Sequence, residues 1–428
     1  MAGGSGRTLP VSHPVTVTLD GEPIEAAEGE PVICALVAAG KISLARSPKF
    51  HRPRGPSCLR AACDGCLARV DDAPNVMTCM VAAREGMAIR SQNTLGSRKL
   101  DLLRMTDWFF PDGMNHHELF AGVPGVQSLM QGFARRVAGL GRIPSAPLAA
   151  RGAQRREADV VIVGGGPAGM AVAARLSQEG RTVEVLDDQL AIGGSLRALG
   201  ADDARAWDGI AHAFERAIKA GVRVRTSTTA GALFGDDLLV VGPDGAEIVH
   251  AKCLVVATGA HDGVAPFVGN DLPNVMSARA GGILLAHGVT LGKRVVVVVP
   301  AGGGPFGAAY ARAVKERDIA CEVTVIDGDV VRATGSDHVT GCVVRARGED
   351  GERSLKADAL LVDAPRAPSY ELAEQAGSPL VHTPRGYLPA GGAGKIKDGV
   401  WVVGEAAGRP FSADAFSADA DAVAVAQP

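Results

Sequence analysis

The chain has 428 residues, 46% of them hydrophobic, and a formal net charge of -3. That length exceeds one typical core and points to two or three domains, while the near balance of charge excludes a nucleic-acid binder driven by a basic surface. With 55 Gly and only 4% aromatic residues, the composition suits an α/β protein with many tight turns.

The opening MAGGSGRTLPVSHP has no apolar core, which speaks against a signal peptide. Residues 1–14 are expected to be a disordered tail. No run reaches the length of a membrane span. The most apolar, RVVVVV, is ended by Pro and Gly and reads as a buried strand. The expectation is a cytoplasmic protein, and there a tight group of cysteines reads as a metal site rather than a disulfide framework.

Residues 15–94 read as a small α+β domain. VTVTLDGEPIEA is a hairpin turning at Asp20-Gly21, and EPVICALVAAG is a short helix stopped by Gly40. CLARVDD and MAIRSQN are two further strands. Between helix and strands lies CLRAACDGC, so three of the 8 Cys stand within nine positions. With NVMTCM the spacing is Cys58-x4-Cys63-x2-Cys66-x12-Cys79. C-x4-C-x2-C with a distant fourth Cys is the plant-type 2Fe–2S spacing. Small residues Ala61, Ala62 and Gly65 let the loop fold over a cluster and aim N–H groups at its sulfurs. The alternative is a structural zinc site, which more commonly uses two separate C-x2-4-C knuckles. Cys34, Cys253, Cys321 and Cys342 read as small buried hydrophobes. HRPRG, just before the cluster, reads either as a solvated basic loop or as a contact for a phosphate or a partner.

Residues 95–157 read as a helical connector and linker. LDLLRMTDWFF and VQSLMQGFARRVAGLG have helical spacing, and PSAPLAARGAQRREAD looks exposed. The pair His116-His117 reads as a surface turn.

From residue 158 strands alternate with helices, which predicts parallel sheets. ADVVIVGGGPAGMAVAARLSQEGRTVEVLDDQ is strand, Gly164-x-Gly166-x-x-Gly169, helix, strand, Asp187. Gly164 serves the tight turn, Gly166 the approach of a pyrophosphate, and Gly169 close helix–strand packing. Pro167 and Ala168 open the helix whose N-terminus faces the phosphates, and Asp187 stands where a ribose hydroxyl is bound. RVVVVVPAGGGPFGAAYARAVKERDIACEVTVIDGD carries a second loop, Gly302-x-Gly304-x-x-Gly307, with Asp327 closing the next strand. Pro300-Ala301 lengthens its turn, so it reads either as an NAD site or as a retained fold with an empty site. No GxSxG elbow and no general base stand out.

Together GGGPAG, IGGSL, ATGA and GVWVVGEAAG resemble the two-dinucleotide-binding flavoprotein family, in which the second nucleotide domain is inserted into the first. The resemblance implies a first, FAD-type domain at 158–270 plus 392–428 and an inserted, NAD-type domain at 271–391. It adds Gly194, Ser195, Thr258, Gly259, Gly404 and Glu405 to the cofactor contacts. The last motif usually reads GD, whose acid holds the ribityl chain; here it is Gly404-Glu405. SPKFHRPRG, DALLVDAPRAPSYELAEQAG and the domain order resemble the α subunits of heterotetrameric sarcosine oxidase and of opine and proline dehydrogenases. The fold this implies is α/β with an N-terminal α+β domain. A ferredoxin-like β-grasp 2Fe–2S domain and a helical connector lead to two Rossmann-like domains of the disulfide-reductase type.

In sarcosine oxidase α subunits the ferredoxin-like domain has lost its cysteines; here all four are present. The resemblance implies an electron-transfer subunit. An FAD-containing β-type partner would oxidise a small amine or amino acid, small additional subunits can join, and an FMN can sit at the interface between subunits. The α subunit would bind FAD or another adenine nucleotide at the first loop. A self-contained NAD(P)H-dependent FAD/2Fe–2S oxidoreductase is the alternative, with hydride entering from NADH at the second loop.

Overall fold

The computed structural model describes residues 5–47, 51–92, 125–126, 128–129 and 152–426. Strand β1 (Ser5–Arg7) precedes a hairpin of β2 (Pro14–Leu19) and β3 (Glu22–Ala27). Asp20 and Gly21 both take positive φ, 52° and 84°, as a two-residue type I′ turn requires. Helix α1 (Val32–Ala38) buries Val32 through Val37. It is followed by the cysteine loop, then β4 (Leu67–Val70), β5 (Ala73–Met77) and β6 (Ala88–Arg90). The sheet order is β3-β2-β6-β4-β5, with β2 and β6 parallel. This mixed sheet closes over Val17, Leu19, Ile33, Leu36, Met87 and Ile89. Each element expected here from sequence is present.

Most of the expected helical connector, His116-His117 included, lies outside the described residues. Its end is corrected. Strand β7 (Gln154–Val163) begins within the stretch expected to be linker. It is followed by α2 (Pro167–Gln178), β8 (Val183–Leu186), α3 (Asp208–Lys219) and β9 (Arg223–Arg225). A meander of β10 (Thr229–Phe234), β11 (Asp237–Gly242) and β12 (Gly245–Val256) extends the sheet, in the order β9-β8-β7-β12-β11-β10. Gln154–Ala158 pair with Glu247–Ala251, so the backbone of the supposed linker is satisfied by the meander.

The second nucleotide-type unit holds β13 (Val275–Ser277), α4 (Ala278–Ala286), β14 (Val289–Leu291), β15 (Arg294–Val299) and α5 (Phe306–Glu316). It continues with β16 (Glu322–Gly335), β17 (Val339–Ala346), β18 (Arg353–Lys356) and β19 (Ala359–Val362). Its sheet runs β13-β19-β15-β16-β17-β18. Val295 to Val298 are buried on both faces, which is why the five-valine run shows no alternation. The inserted unit ends sooner than expected. Helix α6 (Glu371–Gln375) sends Leu372 and Ala373 into the core of the first unit, beside Leu238 and Val402. The first sheet then gains β20 (Val400–Val402), parallel to β12. Helix α7 (Ala413–Val425) packs against α2. No helix among the described residues is long and apolar enough to cross a membrane.

The supposed N-terminal tail is also corrected. Strand β1 pairs antiparallel with β14, Ser5 to Leu291 through Arg7 to Val289. Arg7 pairs with Glu30, whose carboxylate also accepts the Ala27 N–H at 2.8 Å. This clamp joins the N-terminal unit to the second nucleotide-type unit. Because Glu30 is buried, Arg7→Ala leaves a charge without its counter-ion. The expected loss is roughly 2–4 kcal/mol, read as an earlier first transition in urea; Glu30→Gln added to Arg7→Ala should restore part of it.

Candidate metal centre and nucleotide site

The cysteine loop owes its shape to close backbone approach. A Cβ on Gly65 would lie 1.8 Å from the Gly55 carbonyl oxygen, so only glycine fits. Leu59 and Ala61 take φ of 51° and 58°, a conformation that costs non-glycine residues and persists where surroundings impose it. The turned backbone points amides at sulfur. The Arg60 N–H lies 3.4 Å from Cys58 Sγ. The amides of Ala62, Gly65 and Ala61 are aimed at Cys58, Cys63 and Cys79 respectively.

The four sulfurs form two pairs. Cys66 and Cys79 are 3.6 Å apart, and Cys58 is hydrogen-bonded to Cys63. A tetrahedral metal holding thiolates at about 2.3 Å sets its sulfurs roughly 3.8 Å apart. Among the described residues, no three of these sulfurs lie mutually within 4.8 Å; the one group of three donors that does is Glu30, Cys34 and His287. A single zinc would need all four sulfurs in one tetrahedron. Two separated pairs fit one iron each in a two-iron cluster. Within each pair the two thiols are hydrogen-bonded to one another, and against burial this contact holds Cys63 down at about 5 and Cys66 below the usual thiol range.

The first glycine loop opens on a cavity of about 360 Å³. Gly164, Gly166, Pro167, Ala168, Asp187, Gly194, Ser195, Thr258, Gly259 and Glu405, ten of the residues expected from sequence, line it. Gly169 does not. Its missing Cβ makes room for the Gly164 carbonyl oxygen, which would otherwise lie 1.9 Å away, and this is the close helix–strand packing expected of it. Asp187 Oδ2 accepts the Gly165 N–H at 2.7 Å, and Oδ1 accepts Gln189 N–H at 2.8 Å. Burial raises its pKa to about 6, against these hydrogen bonds. Two polar atoms at the cavity wall, Ser369 Oγ and His261 Nδ1, are buried with no hydrogen-bond partner among the described residues. An adenine nucleotide fits these features: glycine backbone for phosphates, a carboxylate for a ribose, and orphaned polar atoms for the far end.

Glu405 lines the cavity as expected, and its carboxylate is also held in a buried ion pair with Arg366. Arg366 also donates to Ser195 Oγ at 3.1 Å and lies over the Phe306 and Phe411 rings, at 4.6 and 5.2 Å. A buried carboxylate so near a guanidinium takes the cation first.

The second loop is differently occupied. Gly307 sits in the first turn of α5, where a Cβ would meet Val297 and Val299 side chains at 2.8 and 3.1 Å. Asp327 lies level with Val299 as expected, but β16 continues past it, and its exposed carboxylate pairs with Arg347 at 2.8 Å. Gly302 takes φ 71°. Gly304 lies against Asp363, a residue that sequence reasoning passes over.

Sequence reasoning also misses the residues that join the two sites. Arg60, between Cys58 and Cys63, lines the cavity and donates to the Ala260 carbonyl and, at 3.5 Å, to that of Thr258. Arg279, at the start of α4, donates to Asp262 at 2.6 and 2.7 Å and to the Cys58 carbonyl at 2.7 Å. Gln189 Nε2 lies 3.3 Å from Met80 Sδ, beside Cys79. The one hint in the sequence is that Arg60 is the only long charged side chain within the C-x4-C loop. Arg54 of HRPRG pairs with Asp271 at 3.2 Å, so it is a contact between units and not free basic surface.

Gly65→Ala is expected to force the loop apart from Gly55 and to purify with little iron while circular dichroism stays near that of the unaltered chain. Iron and acid-labile sulfide assays measure it.

Residues 12–94 match the family described as a 2Fe-2S iron-sulfur cluster binding domain, and residues 158–330 match pyridine nucleotide-disulphide oxidoreductase. The chain is similar to the sarcosine oxidase α subunit of Rhizobium meliloti (strain 1021), 32% identical over 298 residues, which cover 62% of this chain and 30% of that one. It is also similar to the sarcosine oxidase α subunit of Corynebacterium sp. (strain P-1), 27% identical over 412 residues, 86% of this chain and 39% of that one. The chain thus spans well under half the length of these curated relatives. L-proline dehydrogenase from P. horikoshii shares the fold, with a TM-score of 0.68 over 99% of this chain and 74% of that one at 22% identity. The chain thus carries a match to 2Fe-2S cluster binding domains and a match to pyridine nucleotide-disulphide oxidoreductases, and is similar over most of its length to sarcosine oxidase α subunits.

Proposed function

We propose that the chain is the iron–sulfur and nucleotide-binding electron-transfer subunit of a multi-subunit, cytoplasmic oxidase or dehydrogenase. Its substrate would be a small amine or amino acid of the sarcosine, opine or proline kind. A partner flavoprotein subunit carrying FAD would oxidise that substrate, and an FMN would sit where the subunits meet. Cys58, Cys63, Cys66 and Cys79 hold a 2Fe–2S cluster, which supplies a one-electron station beside a two-electron flavin. Gly164, Gly166, Asp187, Gly194, Ser195, Thr258 and Gly259 hold an adenine nucleotide, FAD in this reading.

The observation that carries the proposal is that Arg60 belongs to both sites. One residue of the cluster loop is also a wall of the nucleotide cavity, so the two cofactors would be separated by little more than a side chain. The relatives named as sarcosine oxidase α subunits, and a relative named as part of an opine oxidase, support the assignment to an amine-oxidising complex.

The first test is gentle anaerobic purification from the native host, followed by native mass spectrometry and iron analysis. A second flavoprotein chain in fixed ratio is the expected result. A lone chain whose cluster is rapidly bleached by NADH would sink the proposal in favour of a self-contained reductase.

A second expected outcome concerns pH. The ribose is held by the ionised form of Asp187, whose pKa in the free protein is about 6. Affinity for ADP-ribose should therefore be flat above pH 7 and fall up to about tenfold per unit as pH drops below 6. Asp187→Asn should bind roughly tenfold more weakly at pH 7.5 and lose that pH dependence. Titration calorimetry across the range measures both.

A further inference from the structure

The two glycine loops are built on one plan, which allows them to be compared position by position. In the first unit, Val163 at the end of β7 lies level with Val256 of β12, and the residue after Val256 is Ala257. In the second, Val298 of β15 lies level with Val362 of β19, and the residue after Val362 is Asp363. The place beneath the turn that holds a methyl group in one unit holds a carboxylate in the other.

That carboxylate is not idle. Asp363 Oδ2 accepts the N–H of Gly307 in the first turn of α5 at 2.7 Å, and its backbone carbonyl accepts the Gly304 N–H at 3.3 Å. A Cβ added to Gly304 would lie 2.8 Å from Asp363 Oδ1, and one on Gly303 would lie 2.4 Å from the Asp363 carbonyl oxygen. Asp363 is 4% exposed. Burial raises its pKa, opposed by the Gly307 and Phe306 amides and the nearby Arg366 charge. An eleven-residue helix with a glycine turn before it offers its first amides to an anion. Here the anion is supplied by the chain. At the first loop Ala257 offers no such group, and Gly166, Pro167 and Ala168 face open cavity.

We infer that Asp363 is an internal anion filling the phosphate seat of the second glycine loop, so that the chain takes an adenine dinucleotide at the first loop alone. A pyrophosphate entering the second loop would displace a buried carboxylate from its amide or sit against it, charge to like charge. The inference makes Asp363 the residue that decides how many nucleotides the chain holds. It rests on the reading of the first loop as a nucleotide site only for the count, not for the closure of the second.

Two measurements on the intact protein test it. The first follows amide hydrogen exchange before and after saturation with ADP-ribose. Protection is expected to rise at 164–169 and to stay unchanged at 302–307. Increased protection at 302–307 overturns the inference, whereas unchanged exchange at 164–169 counts against the first-loop reading and leaves the second-loop result to be judged separately. The second measurement counts adenine nucleotide per chain, carried over plus added. No more than one equivalent is expected for the unaltered chain. For Asp363→Ala, or Asp363→Ser should the first not fold, a second equivalent is expected that inorganic pyrophosphate displaces. Two equivalents in the unaltered chain overturn the inference, and so does a folded variant that still takes only one.

Discussion

The structure turns on one buried ion pair. Arg279 and Asp262 face each other with almost no exposure to water, and the same guanidinium reaches the carbonyl of Cys58. Asp262 lies in the segment after β12 of the first nucleotide-type unit, Arg279 opens a helix of the second, and Cys58 begins the cluster loop. Burial alone would raise the Asp262 pKa, but the adjacent guanidinium outweighs it and holds the acid below its ordinary value. Taking either partner away leaves an uncompensated charge, which costs several kcal/mol (about 3–5). Three units are therefore fixed relative to one another by charges that cannot separate cheaply, and the cluster loop inherits that rigidity through its carbonyl.

A second consequence follows from how short the segment 363–369 is. Asp363 sits on the amides of the second glycine loop. Arg366, three residues on, crosses to the first unit and neutralises Glu405. Ser369 then hydrogen-bonds through its backbone to Gly259 and Thr258 at the wall of the first cavity. One stretch of extended chain thus closes one nucleotide-type site and furnishes the other. The unequal fates of the two loops are one event in the fold, because moving this strand to open the second loop would also withdraw Arg366 and Ser369 from the first.

What is legible in the sequence is local. Cys58, Cys63 and Cys66 share one loop, so their spacing carries the geometry of their sulfurs. The turn of Gly164, Gly166 and Gly169, with Asp187 one strand on, is likewise a short-range pattern whose residue types answer to close backbone approach. The rest is hidden because it depends on partners far apart in the chain. Strand β1 reads as tail, since three residues without periodicity carry no signal and their partner lies nearly three hundred positions away. Helix α6 falls to the wrong unit because Leu372 and Ala373 show that they are buried, but not against what. Glu405 looks like a free acid because nothing near it announces Arg366. Asp363 sits just past an ordinary strand end, and only the sheet registers, which give it the place that Ala257 holds in the other unit, give it meaning.

The arrangement also bears on how the cluster and the nucleotide cavity can influence each other. Arg60 is half-buried at the cavity wall, and desolvation lowers its pKa, with the Arg279 charge adding to that effect and Asp262 and Asp188 opposing it. Its guanidinium is anchored to the carbonyls of Ala260 and Thr258, which belong to the cavity wall, while its own N–H points at Cys58 Sγ. A ligand that brings negative charge into the cavity acts on the side chain of the same residue whose amide faces a cluster sulfur. Hydrogen bonds to sulfur and nearby charge are among the means by which a protein sets a cluster's potential. Both converge here on a single residue, within a loop that Gly65 and the Arg279–Asp262 pair keep from relaxing. A cluster and a nucleotide held at these two sites would therefore be joined by short-range contacts through Arg60, with no larger motion of the domains required.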